Sequence, residues 1–398
     1  MATVHIVNKG HSKSPSIMKL MRRLVITAAS HSFMFSAVHI PDYTFQRSST
    51  ISASHTLPDS LSRDVRLNQA VDTCQRASLG IRTVGSYATC VRTWLRFAAM
   101  FKITGQSTTY PVISENILVY FVTHCVTYLH LKFSTIKVYL AGIRNHYLLG
   151  GHSNPLVTSQ GLNLPRIQYV LRGIRRLQGS ATRPRLPITF DLLKRLCLLL
   201  RSGVYGPYFD LLMEAAFLLA FFGFLRCSEF TSLSQSFNPQ VGLCVKDIKT
   251  LGNSRSVDAQ VVTIKSSKTD QFRRGFELRL YPTGSAFCPV SSLHRFLLVH
   301  HKMGAAPHEP LFMLPERIPL DRAHFTNSLR FLLTRLGFKA HLFAGHSFRI
   351  GATTTAASVH LPDHLIQTMG RWSSNCYRTY IRTPEQLLQS AFKTLASV

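Results

Sequence analysis

The sequence predicts a mostly helical protein of two domains, the second carrying a small β-hairpin. Three observations predict it. Apolar residues recur at helical spacing through much of 67–180 and again from 189 onward. One stretch, AQVVTIKSSKTDQFRRGFELRLYP (259–282), alternates, turns and alternates again, which is the signal of two antiparallel strands. Between the helical regions, GSATRPRLPIT (179–189) holds Gly, Ser, two prolines and two arginines with no apolar period, so residues 181–188 read as a linker. With 398 residues, 45% of them hydrophobic, the chain is long enough for two cores.

Residues 1–66 are rich in Ser, His and Thr, lack a clean period, and read as a poorly ordered N-terminal remnant. In the domain expected over 67–180, YATCVRTWLRFAAMF is a helix with Tyr87, Val91, Trp94, Leu95 and Ala98 on one face. SENILVYFVTHCVTYL (114–129) is a second, with Ser114 as N-cap. STIKVYLAGIRNHYLLG (134–150) is a third; Ile136, Tyr139, Leu140, Ile143 and Tyr147 form its apolar face, and Gly150 or Gly151 ends it. RIQYVLRGIRRLQG (166–179) is a fourth. In the domain expected over 189–398, TFDLLKRLCLLLRSG is a helix stopping near Gly203, and the run AAFLLAFFGFL (215–225) is a buried helix too short to span a bilayer. After the hairpin come helices near 289–303, 322–336, 347–359 and 362–369, the last closed by Gly370, then a short helix near 374–381. The final helix, from Thr383, has the N-cap, Pro384 and Gln386 of a capping box.

Charge narrows the function. Lys and Arg total 46 against 18 acids, a formal charge of +28, and such an excess costs self-repulsion unless a polyanion uses it. Between 71 and 185 there are fourteen Lys and Arg against Asp72 and Glu115. Lys137 and Arg144 lie together off the apolar face of their helix, and Arg172, Arg175 and Arg176 follow on the next; these are candidate phosphate-backbone contacts. Arg273 and Arg274, in the hairpin turn, are further candidates. The eight cysteines are scattered with no C-x-x-C pair, which suggests neither a zinc site nor a disulfide framework, and acids are too sparse for a two-metal carboxylate set. No metal, cofactor or membrane partner is expected.

Five features then stand in order: FLRCSEF with Arg226 and Glu229, the hairpin SKTD with Lys268, GHSFRIGA with His346 and Arg349, GRW with Trp372, and YRTYIR with Tyr380. The ordered set, spanning about residues 70–398, resembles the tyrosine recombinases of phage-integrase type. RLPIT, SKTDQ and GRWSSNCYRTYIRTP resemble the recombinases of DIRS-type and related eukaryotic mobile elements. AVHIPD (37–42) and LPDSLSR (57–63) resemble the end of a retroelement reverse transcriptase–RNase H polyprotein and would be the leftover of a neighbouring frame. The resemblance implies an N-terminal core-binding domain (SAM-like, helical), a C-terminal α+β catalytic domain, and strand cleavage through a 3′-phosphotyrosine without ATP or metal. It also implies a homotetramer on paired double-stranded DNA sites and, from the substrate, a nuclear location.

The chemistry can be rebuilt from the residues. Attack by a tyrosine hydroxyl on a phosphodiester builds charge on the non-bridging oxygens, and two guanidiniums, Arg226 and Arg349, can hold them. His346 stands one helical turn before Arg349 and can donate to the phosphate or accept the tyrosine proton. By the resemblance, Trp372 fills a position held by His or Trp, Lys268 is the general acid for the leaving 5′-oxygen, and Glu229 supports its neighbours. Lys265 competes with Lys268. Tyr377 competes with Tyr380, which lies eight residues past Trp372 where the family commonly has nine. Two rival functions stay open: a DNA-binding descendant without chemistry, and a relaxing topoisomerase that uses the same tyrosine.

Overall fold

The computed structural model describes residues 58–103, 109–179, 185–232, 235–252, 257–268, 270, 274–383 and 385–397. They fall into two compact units divided after Gly179.

The first unit is all helical: α1 (Asp59–Arg63), α2 (Val65–Ala77), α3 (Ile81–Met100), α4 (Glu115–Thr127), α5 (Phe133–Leu149) and α6 (Pro165–Gln178). Its core gathers Trp94 and Phe97 of α3, Leu118, Phe121 and Val122 of α4, Ile136, Leu140 and Ile143 of α5, and Ile167, Leu171 and Ile174 of α6. Trp94 is wholly buried, so its indole N–H needs a partner; it donates to the Tyr147 hydroxyl at 3.2 Å, which donates to the Pro111 carbonyl at 2.5 Å. α3 and α5 approach closely because Gly142 has no side chain: a Cβ there would meet Cys90 Cβ at 2.8 Å. Ser114 caps α4 as expected, its hydroxyl accepting from the Ile117 N–H. Gln178, at the end of α6, accepts from the Phe133 N–H at 2.7 Å and donates to the Leu131 carbonyl at 2.8 Å, pinning the start of α5.

Helix α1 and the first two residues of α2 fall in the segment 1–66 that the sequence reading left poorly ordered, while the rest of α2 lies in the helical domain expected over 67–180. The Asp64 carboxylate accepts from the Leu67 N–H at 2.9 Å and starts α2 as an N-cap. α2 buries no residue, which is why periodicity gave little warning of it. The AVHIPD stretch lies outside the described residues.

The second unit opens with α7 (Phe190–Arg201), capped by the Thr189 hydroxyl, and α8 (Pro207–Phe222). α8 is buried on every side, as the apolar run implied. Its one deeply buried glutamate, Glu214, is compensated by Arg201 at 2.6 Å and Arg295 at 3.1 Å. The four-residue α9 (Cys227–Phe230) follows, then β1 (Ile248–Gly252), β2 (Val257–Ile264) and β3 (Phe276–Leu280). These form an antiparallel sheet in the order β1-β2-β3, with Val262 of β2 opposite Ile248 on one side and Leu278 on the other. The hairpin matches the expectation. The third strand was not foreseen, because β1 is an exposed edge with no alternation of burial.

α10 (Pro289–Lys302), α11 (Arg322–Arg335), α12 (His346–Ser358), α13 (Asp363–Gly370), a 3₁₀ turn (Asn375–Tyr380) and α14 (Glu385–Leu395) complete the unit. Phe217 of α8 packs on Phe325 of α11 and Phe348 of α12, at 5.6 and 5.0 Å between ring centroids. α12 lies against the Ile188 backbone at Gly351, where a Cβ would meet the Ile188 carbonyl oxygen at 1.7 Å. The residues expected to cap α14 include Pro384, outside the described residues. Six of the eight cysteines are buried, where a thiol packs as a small hydrophobe. Among the described residues, no helix is long and apolar enough to cross a membrane.

Candidate active site

One buried carboxylate organises the second unit's cationic centre. Glu229 sits in α9, one turn after Arg226, and its side chain is wholly buried. One oxygen accepts from Arg226 Nη1 at 2.9 Å. The other accepts from the Arg226 backbone N–H at 3.0 Å and from Arg371 Nη2 at 2.7 Å. Arg226 Nε and Nη2 take no hydrogen bond among the described residues, and about a fifth of its side chain meets solvent.

Arg349 lies deeper. It is fully buried in α12, donating from Nη1 to the Phe224 carbonyl and from Nη2 to the Gly370 carbonyl at 2.6 Å. Its guanidinium stands 4.1 Å from the centroid of Trp372, a cation–π contact. Burial, and then the charge of Arg226, push its pKa down to about 9, so it is still a cation at neutral pH. Two guanidiniums therefore contact one carboxylate and a third, Arg349, lies near enough to feel its charge, which leaves an excess of two positive charges. An arrangement of that sign suits an anion, and Arg226 is the most exposed of the three side chains.

The sequence reading treated Gly370 as the residue that closes α13. Instead Gly370 is the last helical residue, and Arg371 takes the left-handed conformation, with φ 57°. The Arg371 and Trp372 N–H groups bond back to the Thr368 and Gln367 carbonyls, both at 3.0 Å. Glycine normally fills such a position, and another residue there costs on the order of 1 kcal/mol. Gly370 is needed for a different reason: a Cβ on it would fall 1.6 Å from the Trp372 ring. Arg371 is the site residue the sequence reading missed. Its only sequence signal was an arginine where a helix terminus prefers glycine.

Trp372 also faces Tyr377 and Tyr380, at 5.9 and 5.5 Å between ring centroids. The two tyrosines differ. Tyr377 is 1% exposed and belongs to the core, whereas Tyr380 is half-buried at the end of the 3₁₀ turn, its ring 5.2 Å from that of His346. His346 opens α12. Burial, followed by the charges of Arg349, Arg226, Arg322 and Lys268, lowers its pKa to about 4. The imidazole is thus neutral at pH 7 and able to accept a proton. Because the folded state resists protonating it, the unfolded state binds more protons between about pH 4 and the ordinary histidine value of 6.5. Stability is expected to fall as pH drops through that window. Urea titrations at pH 7 and pH 5 should show His346→Gln losing less stability than the wild type; an equal loss would contradict the assignment.

Lys268 is exposed, with no hydrogen-bond or ion-pair partner among the described residues, yet close enough for its charge to act on His346. Its competitor Lys265 is occupied: its ammonium meets Asp247 at 2.6 Å, donates to the Pro239 carbonyl at 2.6 Å and lies 3.2 Å from Cys244 Sγ. Arg274 is exposed and its N–H donates to Asp270 at 3.0 Å; Arg273 lies outside the described residues. The structure thus brings Arg226, Glu229, His346, Arg349, Trp372 and Tyr380 together, with Lys268 at the rim. Arg322, exposed at the start of α11, is a further cation acting on His346 that the sequence reading did not single out.

In the first unit, Lys137, Arg144, Arg172, Arg175 and Arg176 are all exposed. Lys137 of α5 and Arg175 of α6 share the Phe133 ring, at 6.0 and 5.9 Å from its centroid. Two helices thus present cations to one patch. Among the described residues, no group of three or more His, Cys, Asp and Glu comes together as metal ligands would.

No protein-family model and no curated protein matches the chain. Solved structures do. One is the XerH site-specific recombinase in a post-cleavage complex with a palindromic difH substrate: TM-score 0.53, 16% identity, covering 82% of this chain and 85% of that one. The pre-cleavage complex of XerH with difH gives TM-score 0.50 at 15% identity, covering 84% and 90%. The chain has the tyrosine recombinase fold. Its helices and three-stranded sheet are those of that fold, and the cluster described above sits within them.

Proposed function

We propose that the chain is a site-specific DNA recombinase that breaks and rejoins strands through a 3′-phosphotyrosine, and that it derives from a mobile element. The observation that carries this reading is the placement of Tyr380 against His346 and Trp372, beside a guanidinium cluster with excess positive charge. Tyr380 Oη attacks the phosphorus and forms a P–O bond while the 5′-oxygen leaves. His346, neutral, takes the phenol proton as the bond forms. Arg226 and Arg349 stabilise the charge on the non-bridging oxygens, and Lys268 protonates the leaving oxygen. Trp372 holds Arg349 and Tyr380 in place, and Glu229 orients Arg226. The phosphoester is exchanged rather than hydrolysed, so the reaction class requires neither ATP nor metal.

Lys137, Arg144, Arg172, Arg175 and Arg176, with the hairpin arginines, supply sequence-independent backbone contacts to double-stranded DNA. Strand exchange needs two sites and four active centres, hence a homotetramer. α14 leaves Leu388, Phe392 and Leu395 exposed, an apolar stripe suited to a neighbouring copy. Mass measurement of the protein on paired target duplexes should give four copies; a stable one-to-one complex would speak against exchange. The chain then acts in the nucleus, where the substrate is.

The test of the reaction is covalent trapping on a randomised pool of nicked duplexes that lose the leaving 5′-strand. A denaturing gel should show a protein–DNA adduct. The second reading, a DNA-binding protein without chemistry, draws on the complete burial of Arg349, whose Nη atoms already serve two carbonyls. It predicts salt-sensitive DNA binding and no adduct.

A further inference from the structure

We propose that Arg371 is a positioning residue that occupies the second oxygen of Glu229, keeps Arg226 from closing a two-pronged pair with that carboxylate, and so leaves Arg226 free to take a phosphate. The proposal rests on the recombinase reading above and adds a residue to it.

Three observations meet at this side chain. A carboxylate facing a lone guanidinium favours a bidentate pair, with two parallel N–H···O bonds. Glu229 and Arg226 do not form one: Arg226 uses Nη1 alone on one oxygen, while the other accepts from Arg371 Nη2 at 2.7 Å and from the Arg226 backbone N–H at 3.0 Å. Arg371 is itself held on a second side, its guanidinium lying 5.3 Å from the centroid of Phe276, the first residue of β3. The backbone at 371 adopts a left-handed conformation that suits glycine better, so the arginine is kept there against a local preference. Its Nη1 is buried without a hydrogen-bond partner, which a purely structural staple would be expected to satisfy.

The backbone conformation supplies a clean variant. Arg371→Gly relieves the turn while deleting the side chain; a fold-only role predicts lower stability from the lost Glu229 pair but unchanged cleavage per folded molecule. Our expectation is a fall in single-turnover cleavage of about 10–100-fold at saturating DNA, with DNA affinity unchanged within about twofold, the range for losing an oriented charge-stabilising donor. Adding Glu229→Gln to Arg371→Gly removes the carboxylate charge that would capture Arg226. The double variant should cleave faster than Arg371→Gly alone. Wild-type cleavage by Arg371→Gly, or no recovery in the double variant, overturns the proposal.

A readout without chemistry separates this idea from the reading it rests on. Inorganic phosphate should raise the melting temperature of the wild type, and Arg226→Ala defines the share that belongs to the cluster. Loss of that share in Arg371→Gly upholds the proposal even if the wild type forms no adduct, in which case only the cleavage reading fails. A share unchanged in Arg371→Gly, or no Arg226-dependent share in the wild type, overturns it.

Discussion

Tyr380→Phe should abolish the covalent adduct on nicked duplexes, by about 10⁴-fold or more, while DNA binding and stability barely change. Removing a nucleophile removes the step itself rather than one contribution to it. The half-buried Tyr380 ring packs beside Trp372 and His346, and phenylalanine preserves that packing. Tyr377→Phe should behave in the opposite way. Tyr377 is a core residue whose hydroxyl accepts from Arg378 Nε at 3.4 Å, and whose interaction with Asp363 helps hold that carboxyl below its ordinary pKa. Its loss should cost about 1 kcal/mol of stability, a typical hydrogen-bond value, and leave the adduct intact. Equal adducts from the wild type and Tyr380→Phe would move the nucleophile elsewhere.

Arg349→Met should lower cleavage by about 10³-fold or more yet change stability by less than about 2 kcal/mol. Two opposed effects of similar size produce the second half of this result. Deleting the guanidinium strands the buried carbonyls of Phe224 and Gly370, each worth roughly 1–3 kcal/mol. It also relieves the cost of a buried cation. A pKa pushed to about 9 from the ordinary arginine value corresponds to a charging cost of roughly 4–5 kcal/mol, present at neutral pH and relieved only as pH rises past 9. Glu229 keeps Arg226 and Arg371 as partners, so no carboxylate is left uncompensated. Single-turnover trapping and urea denaturation on the same variant check both halves. A loss of stability near 5 kcal/mol would show that the carbonyl bonds outweigh the burial of charge.

Legibility in the sequence followed the physics of each element. The helices of the first unit were readable because Trp94, Ile136 and Ile143 repeat at helical spacing toward a common core. The hairpin was readable because both flanks of its polar turn alternate, with Val262 and Ile264 of β2 and Leu278 and Leu280 of β3 as buried members of the pattern. β1 offered no such mark, since most of its residues face solvent and its identity comes from pairing with β2. His346 and Arg349 could be joined from their spacing alone. Their meeting with Glu229 joins chain segments over a hundred residues apart, and only the ordered resemblance suggested that Glu229 and Trp372 belong with them. Arg371 escaped even that, because its role lies in a left-handed backbone angle and one ion pair, neither of which leaves a periodic trace.

Described residues on both sides of Lys268 are tied down. On one side Lys265 is tied to Asp247 and the Pro239 carbonyl; on the other, Asp270 accepts from the Arg274 and Gly275 N–H groups at 3.0 and 2.8 Å. Three residues of extended chain reach about 10 Å at most. Lys268 therefore moves on a short leash, and its ammonium can sweep only a small volume around the rim of the cluster. A leash of that length acts as a ruler. In the reaction proposed above, such a ruler would hold the ammonium to a leaving oxygen near the cluster and keep it from a phosphate one turn of duplex away, so the fold, more than the reactivity of the lysine, would select which bond receives the proton.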